Sequence, residues 1–545
     1  MPMTPVPLLV STLLERGALL APQEEIVTVG KFGTLTQTYA ETRRNACKLA
    51  NALSAAGVGI GDKVATLMWN NHRHQEAFYA VPSMGAVIHT LNSRLTGDEI
   101  AYMIEHAQDK VLLVDSDFVP IIEELLPRLP SIRKVLVCPI SGPWQSQSDM
   151  MVEWEQALEG QPDQYEWPEI DENAPMGLCY TSGTTGNPKG VVYTHRSTYL
   201  HTMVQAMTDA VSLSATDCVL QVVPMSHVLG WGYPYTAGML GAKQVLYHGS
   251  FDAELMLDTM VEHEVTFSAG VPSIWLMVKD AYTANPGRWD LSHLQRVNCG
   301  ASAPARSLIR WYWENAGVEM IQTWGMTETN PVCVTSRRIA KHRFRNLPLD
   351  QQIDNMAKTG LPLPGIRFKL VDDQGNEVAR DGETPGNLLV RGPWVCTNYY
   401  KVPDSDSFDN GWLLTGDIAK IDKEQYLIIS DRQKDLIKSG GEWISSIDLE
   451  NHILALKGIA QAAVVAQPHP KWDERPVAVI ELAPGASIDT EAILSHCASR
   501  FARWQLPDDV IFVDRVPLNS TGKLDKKSIR EMLVRQGYKL PGVSQ

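Results

Sequence analysis

One polar, glycine-rich stretch decides how the rest of the chain is interpreted: Thr181-Ser-Gly-Thr-Thr-Gly-Asn-Pro-Lys-Gly190. Apolar runs at 176–180 and 191–193 flank it and predict a strand on each side. The loop offers clustered backbone N–H groups, several hydroxyls and one lysine, which suits a polyphosphate. It is not a Walker A loop, because Lys189 is followed by Gly190 and a strand instead of Ser or Thr and a helix. A phosphate site of another kind is therefore predicted, and a flexible polar hairpin is the plainer alternative.

Composition narrows the class of protein. The chain has 545 residues with 63 acidic and 48 basic side chains, and its formal net charge is -15. No run of Lys or Arg indicates a nucleic-acid surface, and no apolar run reaches the ~18 residues that a membrane span requires. The N-terminus lacks the basic region of a signal peptide, and the eight cysteines form no CxxC pair. We therefore expect a cytoplasmic protein with reduced cysteines, no zinc site and no nucleic-acid partner.

Alternating patterns over most of the chain predict a largely parallel α/β architecture. Helices are expected at 39–57 and 75–85, and strands at 63–69, 111–114 and 134–137. A turn-rich break at 360–365 precedes a β-rich unit with strands expected at 367–371, 387–390 and 425–430. A second break at 431–441 precedes strands expected at 459–466, 477–482 and 510–513 and a helix at 491–501. The predicted fold class is α/β, with a large N-terminal domain of α/β layers plus a β-rich unit and a small C-terminal α+β domain.

Seven further motifs follow the loop along the chain. They are Pro224-Met-Ser-His227, Gly300-Ala-Ser302, Thr323-Trp-Gly-Met-Thr-Glu328, Thr415-Gly-Asp417, Asp431-Arg-Gln-Lys-Asp435, Gly440-Gly-Glu442 and Thr521-Gly-Lys523. In this order they resemble the adenylate-forming superfamily, which contains acyl-CoA synthetases, nonribosomal adenylation domains and beetle luciferases. Any one motif is weak, but the ordered set makes chance a negligible explanation. The resemblance implies an ATP-dependent ligase that forms an acyl-adenylate and then transfers the acyl group to coenzyme A.

The resemblance implies ATP, Mg²⁺ and coenzyme A as ligands and assigns residues to them. The nucleotide-binding positions are Thr181, Ser182, Gly183, Thr184, Thr185, Gly186, Lys189, Gly300, Ala301, Ser302, Thr323, Trp324, Gly325, Met326, Thr327, Asp417 and Arg432. The catalytic positions are Lys523, His227, Glu328 and Lys438, and the metal ligands are Glu328 and Thr181. The positions for the acid and for the second half-reaction are Trp231, Gly232, Pro331, Gly440, Gly441, Trp443 and Glu474.

A hinge at Lys434 is also implied by the resemblance. It divides the chain into a large domain, residues 1–433, which holds the ATP and acyl sites, and a small mobile domain, residues 434–545. The small domain is expected to rotate between the half-reactions, since a few hinge residues are enough to absorb such a change. Lys523 would then serve adenylation, and the loop 440–443 would serve thioester formation.

A closer likeness concerns the substrate. Segments 69–74, 437–445 and 471–476 are similar to those of bacterial medium-chain fatty acyl-CoA synthetases and 3-methylmercaptopropionate-CoA ligases. The implied substrate is a short- or medium-chain fatty acid or a thioether acid, and a homodimer is one assembly that the likeness leaves open. The acyl-pocket segment departs at Ser226 and at Leu229-Gly230, which leaves the chain length undecided.

Several alternatives remain open from the sequence. An amino-acid adenylating enzyme needs a carboxylate partner for the substrate ammonium, and Val228 stands beside His227 where such relatives place Asp. An aryl-acid ligase or a luciferase-like oxygenase shares the first half-reaction, so the motifs do not separate them from the favoured interpretation. A catalytically inactive ligand-binding relative is expected to have lost Glu328, Arg432 and Lys523, and all three are present.

Overall fold

Four β-sheets organise the part of the chain that the structure, a computed structural model, describes: residues 4–181, 188–403, 405–433, 435–440, 442–518, 523–538 and 540. The helices are α1 (Val10–Leu20), α2 (Tyr39–Ala55), α3 (His72–Ser83), α4 (Gly97–Ala107), α5 (Val119–Leu125), α6 (Trp154–Leu158), α7 (His195–Gln205), α8 (Tyr233–Leu240), α9 (Ala253–Glu262), α10 (Pro272–Ala284), α11 (Arg306–Ala316), α12 (Leu349–Met356), α13 (Ser446–Leu454), α14 (Thr490–Ala498) and α15 (Lys526–Arg535).

The strands fall into three groups along the chain. Those of the two large sheets are β1 (Glu25–Gly30), β2 (Gly33–Thr38), β3 (Lys63–Leu67), β4 (Val87–Thr90), β5 (Asp109–Asp115), β6 (Lys134–Cys138), β7 (Met151–Glu153), β8 (Pro175–Tyr180), β9 (Gly190–Thr194), β10 (Cys218–Gln221), β11 (Lys243–Tyr247), β12 (Phe267–Gly270), β13 (Arg296–Cys299), β14 (Glu319–Gly325), β15 (Val332–Ser336) and β16 (Leu361–Pro362). The β-rich unit contains β17 (Arg367–Val371), β18 (Gly386–Arg391), β19 (Phe408–Asp409), β20 (Trp412–Ile421) and β21 (Leu427–Arg432). The C-terminal unit contains β22 (Ile437–Ser439), β23 (Glu442–Ile444), β24 (Ile459–His469), β25 (Asp473–Leu482) and β26 (Asp509–Val513).

Two largely parallel sheets form the first part of the molecule. One has seven strands in the order β7-β6-β5-β3-β4-β8-β9, and the other has nine in the order β16-β15-β14-β13-β12-β10-β11-β1-β2. Helices cover both faces, so the middle of β5 is apolar on both sides: Val111 and Leu113 enter one core cluster while Leu112 and Val114 enter another. The predicted parallel α/β layers are therefore confirmed.

The carboxyl ends of three parallel strands lead directly into predicted nucleotide segments. β8 ends at Tyr180, before the phosphate loop, and β13 ends at Cys299, before 300–302. β14 ends at Gly325, inside the motif 323–328. Ligands of open α/β sheets bind at the carboxyl ends of the strands, so the fold itself supports a site here.

The β-rich unit forms a five-stranded sheet in which β17, β18, β20 and β19 follow one another and β21 pairs with β20. The sequence patterns predicted no strand around the motif 415–417, but Asp417 lies inside β20. Alternate residues of this strand, including Leu413, Thr415 and Asp417, are buried, so the period-two pattern continues through the motif. Strand β21 also runs on to Arg432, past the expected end at 430.

The C-terminal unit has its own sheet, in the order β23-β22-β25-β24, and β26 pairs in parallel with β25. The break expected at 431–441 contains part of a strand pair, β22 with β23. Buried Ile437 and Ile444 anchor this pair, and two apolar residues among charged ones gave too little signal in the sequence. The overall class, a large α/β domain followed by a small α+β domain, is confirmed.

One helix start was also misplaced. The strand expected at 63–69 ends at Leu67, and the helix expected at 75–85 begins at His72. The side chain of Asn71 accepts a hydrogen bond from the His74 N–H and caps the helix there, which is a frequent role of asparagine. Within the described ranges, no helix is both long and apolar enough to cross a membrane.

Candidate active site

The phosphate loop sits at the tip of a hairpin formed by β8 and β9, whose last ladder pair joins Tyr180 and Gly190. The hairpin closes tightly, because the Thr181 N–H donates to the Lys189 carbonyl at 2.9 Å and the Lys189 N–H donates to Thr181 Oγ1 at 3.3 Å. The predicted phosphate ligands Ser182, Gly183, Thr184, Thr185 and Gly186 lie outside the described residues.

Asp417 is the best-held carboxylate of the site. It is buried on β20, where Oδ1 pairs with Arg432 Nε at 2.8 Å and Oδ2 accepts from Trp324 Nε1 at 3.0 Å. Burial raises the pKa of Asp417, and the Arg432 guanidinium and the Trp324 indole oppose that rise. Three of the predicted nucleotide positions are thus brought into direct contact.

Lys523, which belongs to the C-terminal unit, lies within electrostatic range of Asp417 and Arg432. Burial, followed by the Arg432 guanidinium, lowers the pKa of the Lys523 ammonium to about 8, while Asp417 and Glu328 oppose the shift. Burial and the charge of Lys523 together lower the pKa of His227 to about 3, so this imidazole is neutral at physiological pH. Four charged residues and one neutral histidine from five separate motifs therefore share one electrostatic environment.

Glu328 lies in a short 3-10 turn, Thr327–Thr329, directly after β14. Its side chain is buried, and Oε1 accepts from the Tyr399 hydroxyl at 2.7 Å. The carbonyl of Thr327 accepts from the Tyr193 hydroxyl at 2.7 Å, which ties the turn to strand β9 behind the phosphate loop. The Glu328 carboxylate is thereby fixed near the base of the hairpin.

The segment predicted to flank adenine, 300–302, has little room between its backbone and the neighbouring residues. A Cβ placed on Gly300 would lie 2.8 Å from the Trp231 ring, so only glycine fits there. Ala301 has φ 72°, and Ser302 is exposed at the opening. A Cβ on Gly325 would collide with the carbonyl oxygen of Pro331, which backs the motif 323–328 from behind. Glycine at 300 and at 325 thus allows Trp231 and Pro331 to pack directly against the backbone.

His227 begins an unusual turn. Residues Val228–Gly232 all have positive φ, including 42° at Val228 and 55° at Trp231. The buried Asn70 amide donates to the carbonyls of Gln221 and Val223, at 2.9 and 3.1 Å, and accepts from the Met225 N–H at 2.7 Å. Asn70 therefore holds the segment that presents His227.

Comparison with known proteins identifies the family. A family profile described as "AMP-binding enzyme" matches residues 14–400, and one described as "AMP-binding enzyme C-terminal domain" matches residues 448–523. This chain is an AMP-binding enzyme. It is similar to a 3-methylmercaptopropionyl-CoA ligase of Ruegeria lacuscaerulensis, with 41% identity over 96% of this chain and 97% of the relative. It is also similar to a medium-chain-fatty-acid–CoA ligase of Ectopseudomonas oleovorans, with 41% identity over 96% of each chain.

A third relative is named for a longer acid than the first two. A long-chain-fatty-acid–CoA ligase of Thermus thermophilus is 43% identical over 95% of this chain and 94% of the relative. The crystal structure of the anthranilate CoA ligase AuaEII in complex with anthranoyl-AMP shares the fold, with a TM-score of 0.87, 24% identity and coverage of 98% and 99% of the two chains. The AMP-binding enzyme described here is an AMP-forming acyl-CoA ligase, so ATP and coenzyme A are its substrates, and the predicted activity is confirmed.

The residues expected to serve the second half-reaction of this AMP-binding enzyme form a separate surface group. The Lys438 N–H donates to Glu474 Oε2 at 2.8 Å, and the Gly440 N–H donates to the Trp472 carbonyl at 2.8 Å. The Trp443 side chain is about half exposed, and Gly441 lies outside the described residues. Lys523 thus lies within electrostatic range of Arg432, Asp417 and Glu328, whereas Trp443 of this group is half exposed to solvent.

Two contributors were missed from the sequence of this AMP-binding enzyme. Tyr399 contacts Glu328, and the Lys189 ammonium lies 4.8 Å from the centre of its ring. It follows no motif or period, so the sequence carried no signal for it. Asn70 stood inside the segment 69–74, where an asparagine pair among charged residues could have suggested buried capping roles.

Proposed function

We propose that this ligase acts on a short- or medium-chain fatty acid, or on a thioether acid of similar length such as 3-methylmercaptopropionate. Relatives named for a thioether acid, a medium-chain acid and a long-chain acid are 41%, 41% and 43% identical to it. Sequence identity over the whole chain therefore does not indicate which length of acid this ligase prefers. The support comes from the contact between Trp231 and Gly300.

This contact closes the space beside the adenylate position. The Trp231 ring packs on Gly300 and is only 6% exposed, so a large rigid group occupies the depth that a longer acid would need. The turn Val228–Gly232 fixes the backbone of Trp231, and Gln205 Nε2 donates to its carbonyl at 2.9 Å. A shallow acyl pocket follows from these contacts.

Two buried polar side chains, Asn298 and Tyr233, each lie two residues along the chain from this contact. Asn298 lies in β13, near the Tyr233 hydroxyl, whose pKa it lowers against the effect of burial. Neither the Asn298 amide nor the Tyr233 hydroxyl makes a hydrogen bond of good geometry with a described residue. An alkyl chain that reached these groups would leave both without a hydrogen-bond partner, which is costly.

Adenylation in this proposal is positioning plus charge stabilisation. A carboxylate oxygen of the acid attacks the α-phosphorus of ATP, and pyrophosphate leaves with the electrons of the broken P–O bond. The Lys523 ammonium stabilises negative charge at the reacting carboxylate and α-phosphate, and Asp417 accepts hydrogen bonds from the ribose hydroxyls, with Arg432 in support. Lys189 and the loop 181–186 hold the outer phosphates. His227, which is neutral, lines the acyl site.

The proposal includes Mg²⁺ at Glu328 and Thr181. The residues fit such an ion, because the buried Glu328 carboxylate and the Thr181 hydroxyl, where the phosphate loop begins, are hard oxygen donors. Bound Mg²⁺ would neutralise charge on the phosphate oxygens. The chain's own part is to hold these donors still, which the hairpin and the short turn of Glu328 do.

The second half-reaction uses the other face of the small domain. The proposed division at 433/434, with a hinge at Lys434, lies at a position outside the described residues. Rotation about it withdraws Lys523 and brings in Lys438, the loop with Gly440, Gly441 and Trp443, and Glu474. The CoA sulfur then attacks the acyl carbon, and AMP leaves with the electrons of the broken C–O bond. A cytoplasmic location and a homodimer complete the proposal, and light scattering tests the latter.

One experiment tests the substrate class. CoA-dependent AMP release is measured with straight-chain acids from acetate to palmitate, with 3-methylmercaptopropionate and with benzoate. The expected result is a broad optimum at short to medium chains with the thioether acid among the good substrates, because each methylene changes binding by only ~1–3 kcal/mol. Fastest turnover on palmitate or on benzoate would contradict the proposal.

A further inference from the structure

Tyr399 lies between two residues that serve different parts of the proposed adenylation site. Its hydroxyl donates to Glu328 Oε1 at 2.7 Å, and the Lys189 ammonium lies 4.8 Å from the centre of its ring. One side chain therefore contacts both the proposed metal carboxylate and the lysine of the phosphate loop.

The backbone around Tyr399 is fixed from both sides. The Cys396 N–H donates to the Glu328 carbonyl at 2.8 Å, and the Tyr400 N–H donates to the Gly190 carbonyl at 2.8 Å. The Tyr399 ring meets Phe408 edge to face, with 5.2 Å between ring centres, and the side chain is 9% exposed. This segment of the β-rich unit thus bridges the end of the phosphate hairpin and the turn that carries Glu328.

We infer that Tyr399 is a positioning residue for adenylation, which sets the Glu328 carboxylate for the metal ion and holds the Lys189 ammonium beside the phosphate positions. The hydroxyl engages one carboxylate oxygen and so restricts how the carboxylate can turn. The ring face attracts the ammonium and keeps a long, flexible side chain close to the site before ATP arrives. Both effects reduce the ordering that MgATP binding would otherwise require.

Two substitutions separate the two contacts. Tyr399→Phe removes the hydroxyl and keeps the ring, whereas Tyr399→Leu removes both. Tyr400→Phe is the matched control, because it removes a neighbouring phenol hydroxyl that makes no hydrogen bond with a described residue and leaves the Tyr400 backbone bond intact. Thermal melts check that each variant folds, and the phenylalanine variant decides the metal question even where the leucine variant is unstable.

The direct measurement is ion binding, independent of turnover. Mn²⁺ replaces Mg²⁺, and its binding in the presence of α,β-methylene-ATP is followed by electron paramagnetic resonance. Tyr399→Phe is expected to weaken Mn²⁺ binding about tenfold, the lower range for loss of a hydrogen bond to a charged group. Its affinity for ATP without metal, measured by calorimetry in EDTA, stays within about twofold of wild type. Tyr399→Leu is expected to lose a further ~2–5-fold in metal-free ATP affinity, the range of an exposed cation–π contact.

The inference rests on the proposed metal role of Glu328, and Glu328→Gln separates the two. If Glu328→Gln weakens Mn²⁺ binding and Tyr399→Phe behaves like Tyr400→Phe, the positioning role is wrong while the metal site stands. If Glu328→Gln leaves Mn²⁺ binding unchanged, the metal site itself fails. The inference is supported if Tyr399→Phe weakens Mn²⁺ binding in the wild-type background but causes little further weakening in the Glu328→Gln background. The second effect should be small because Glu328→Gln has already disrupted the contact that Tyr399→Phe removes.

Discussion

Trp324 and Asp417 share a 3.0 Å hydrogen bond although 93 residues separate them in the chain. The indole belongs to the end of β14 in the nine-stranded sheet, and the carboxylate belongs to β20 in the β-rich unit. This bond therefore joins two units at the position proposed for ribose. A buried carboxylate with such a donor is held in one orientation, ready to accept from a ligand.

Removing the donor should weaken ATP binding. Trp324→Phe keeps a ring but removes the indole donor while the Arg432 ion pair stays, and the pKa of Asp417 should rise further. We expect KM for ATP in pyrophosphate exchange to increase about tenfold, since a hydrogen bond to a charged group contributes ~1.5–3 kcal/mol. Trp289→Phe is the control, because its indole also donates to an aspartate, Asp258, far from the site. Equal effects of the two substitutions would contradict the role.

Loss of the lysine should separate the half-reactions. Lys523→Ala is expected to abolish adenylate formation, because the ammonium that stabilises the reacting groups is gone. Thioester formation from a supplied acyl-adenylate should stay within a few-fold of wild type if the small domain rotates Lys523 away. Single-turnover assays of each half-reaction measure this. Equal loss in both would show that Lys523 serves both states or supports the fold.

The same residue predicts a pH dependence. The pKa of Lys523 is lowered to about 8, so the ammonium is charged below that pH and is lost as the pH rises through it. In the free enzyme, kcat/KM for ATP in adenylation should therefore fall above about pH 8. Lys523→Arg keeps its charge over this range and should have low activity with no alkaline fall. A wild-type profile that is flat up to pH 10 would exclude a role for the charged lysine.

The indole that packs on Gly300 should set the length of the acid. Trp231→Ala removes the group that closes the pocket, so the optimum should move toward longer acids, with reduced activity on short ones. Trp504→Ala removes an indole from the exposed surface of the small domain and serves as the control. The panel of acids used for the wild type measures both. An unchanged chain-length profile in Trp231→Ala would show that the tryptophan only fills the core.

Asn70 should matter for both stability and catalysis. Asn70→Ala removes the donor to the Gln221 carbonyl, one of two donors to the Val223 carbonyl and the acceptor for the Met225 N–H, at a cost of ~2–4 kcal/mol in the free energy of unfolding. Adenylation should fall beyond what the loss of folded protein explains, because the segment before His227 is released. Asn51→Ala is the control, since that amide donates to three carbonyls but is only partly buried. Denaturant melts and pyrophosphate exchange measure the two effects.

The sequence predicted the chemistry of the site better than its geometry. Ordered motifs identified Asp417, Arg432, Glu328 and Lys523, because charged residues in glycine-rich turns stand out from a packed core. Their strand positions were less clear: the alternation through β20 was hidden by Gly416 and Asp417, because glycine and aspartate are uncommon in strands. The role of Tyr399 is not predictable from the sequence. It comes from a contact with Glu328, 71 residues away in the chain, and no local sequence pattern encodes such a contact.

The left-handed turn Val228–Gly232 constrains how this pocket can evolve. Positive φ is costly for residues with a Cβ, and such backbone persists only where its surroundings enforce it. Here the enforcement comes from outside the turn, through Asn70 and Gln221, whose amides bind the carbonyls of Val223 and Gly230. Side chains within the turn can therefore be substituted without changing its backbone conformation. New acid preferences are then accessible by single substitutions at position 231, whereas mutations at the distant asparagine would change the shape of the pocket for every acid at once.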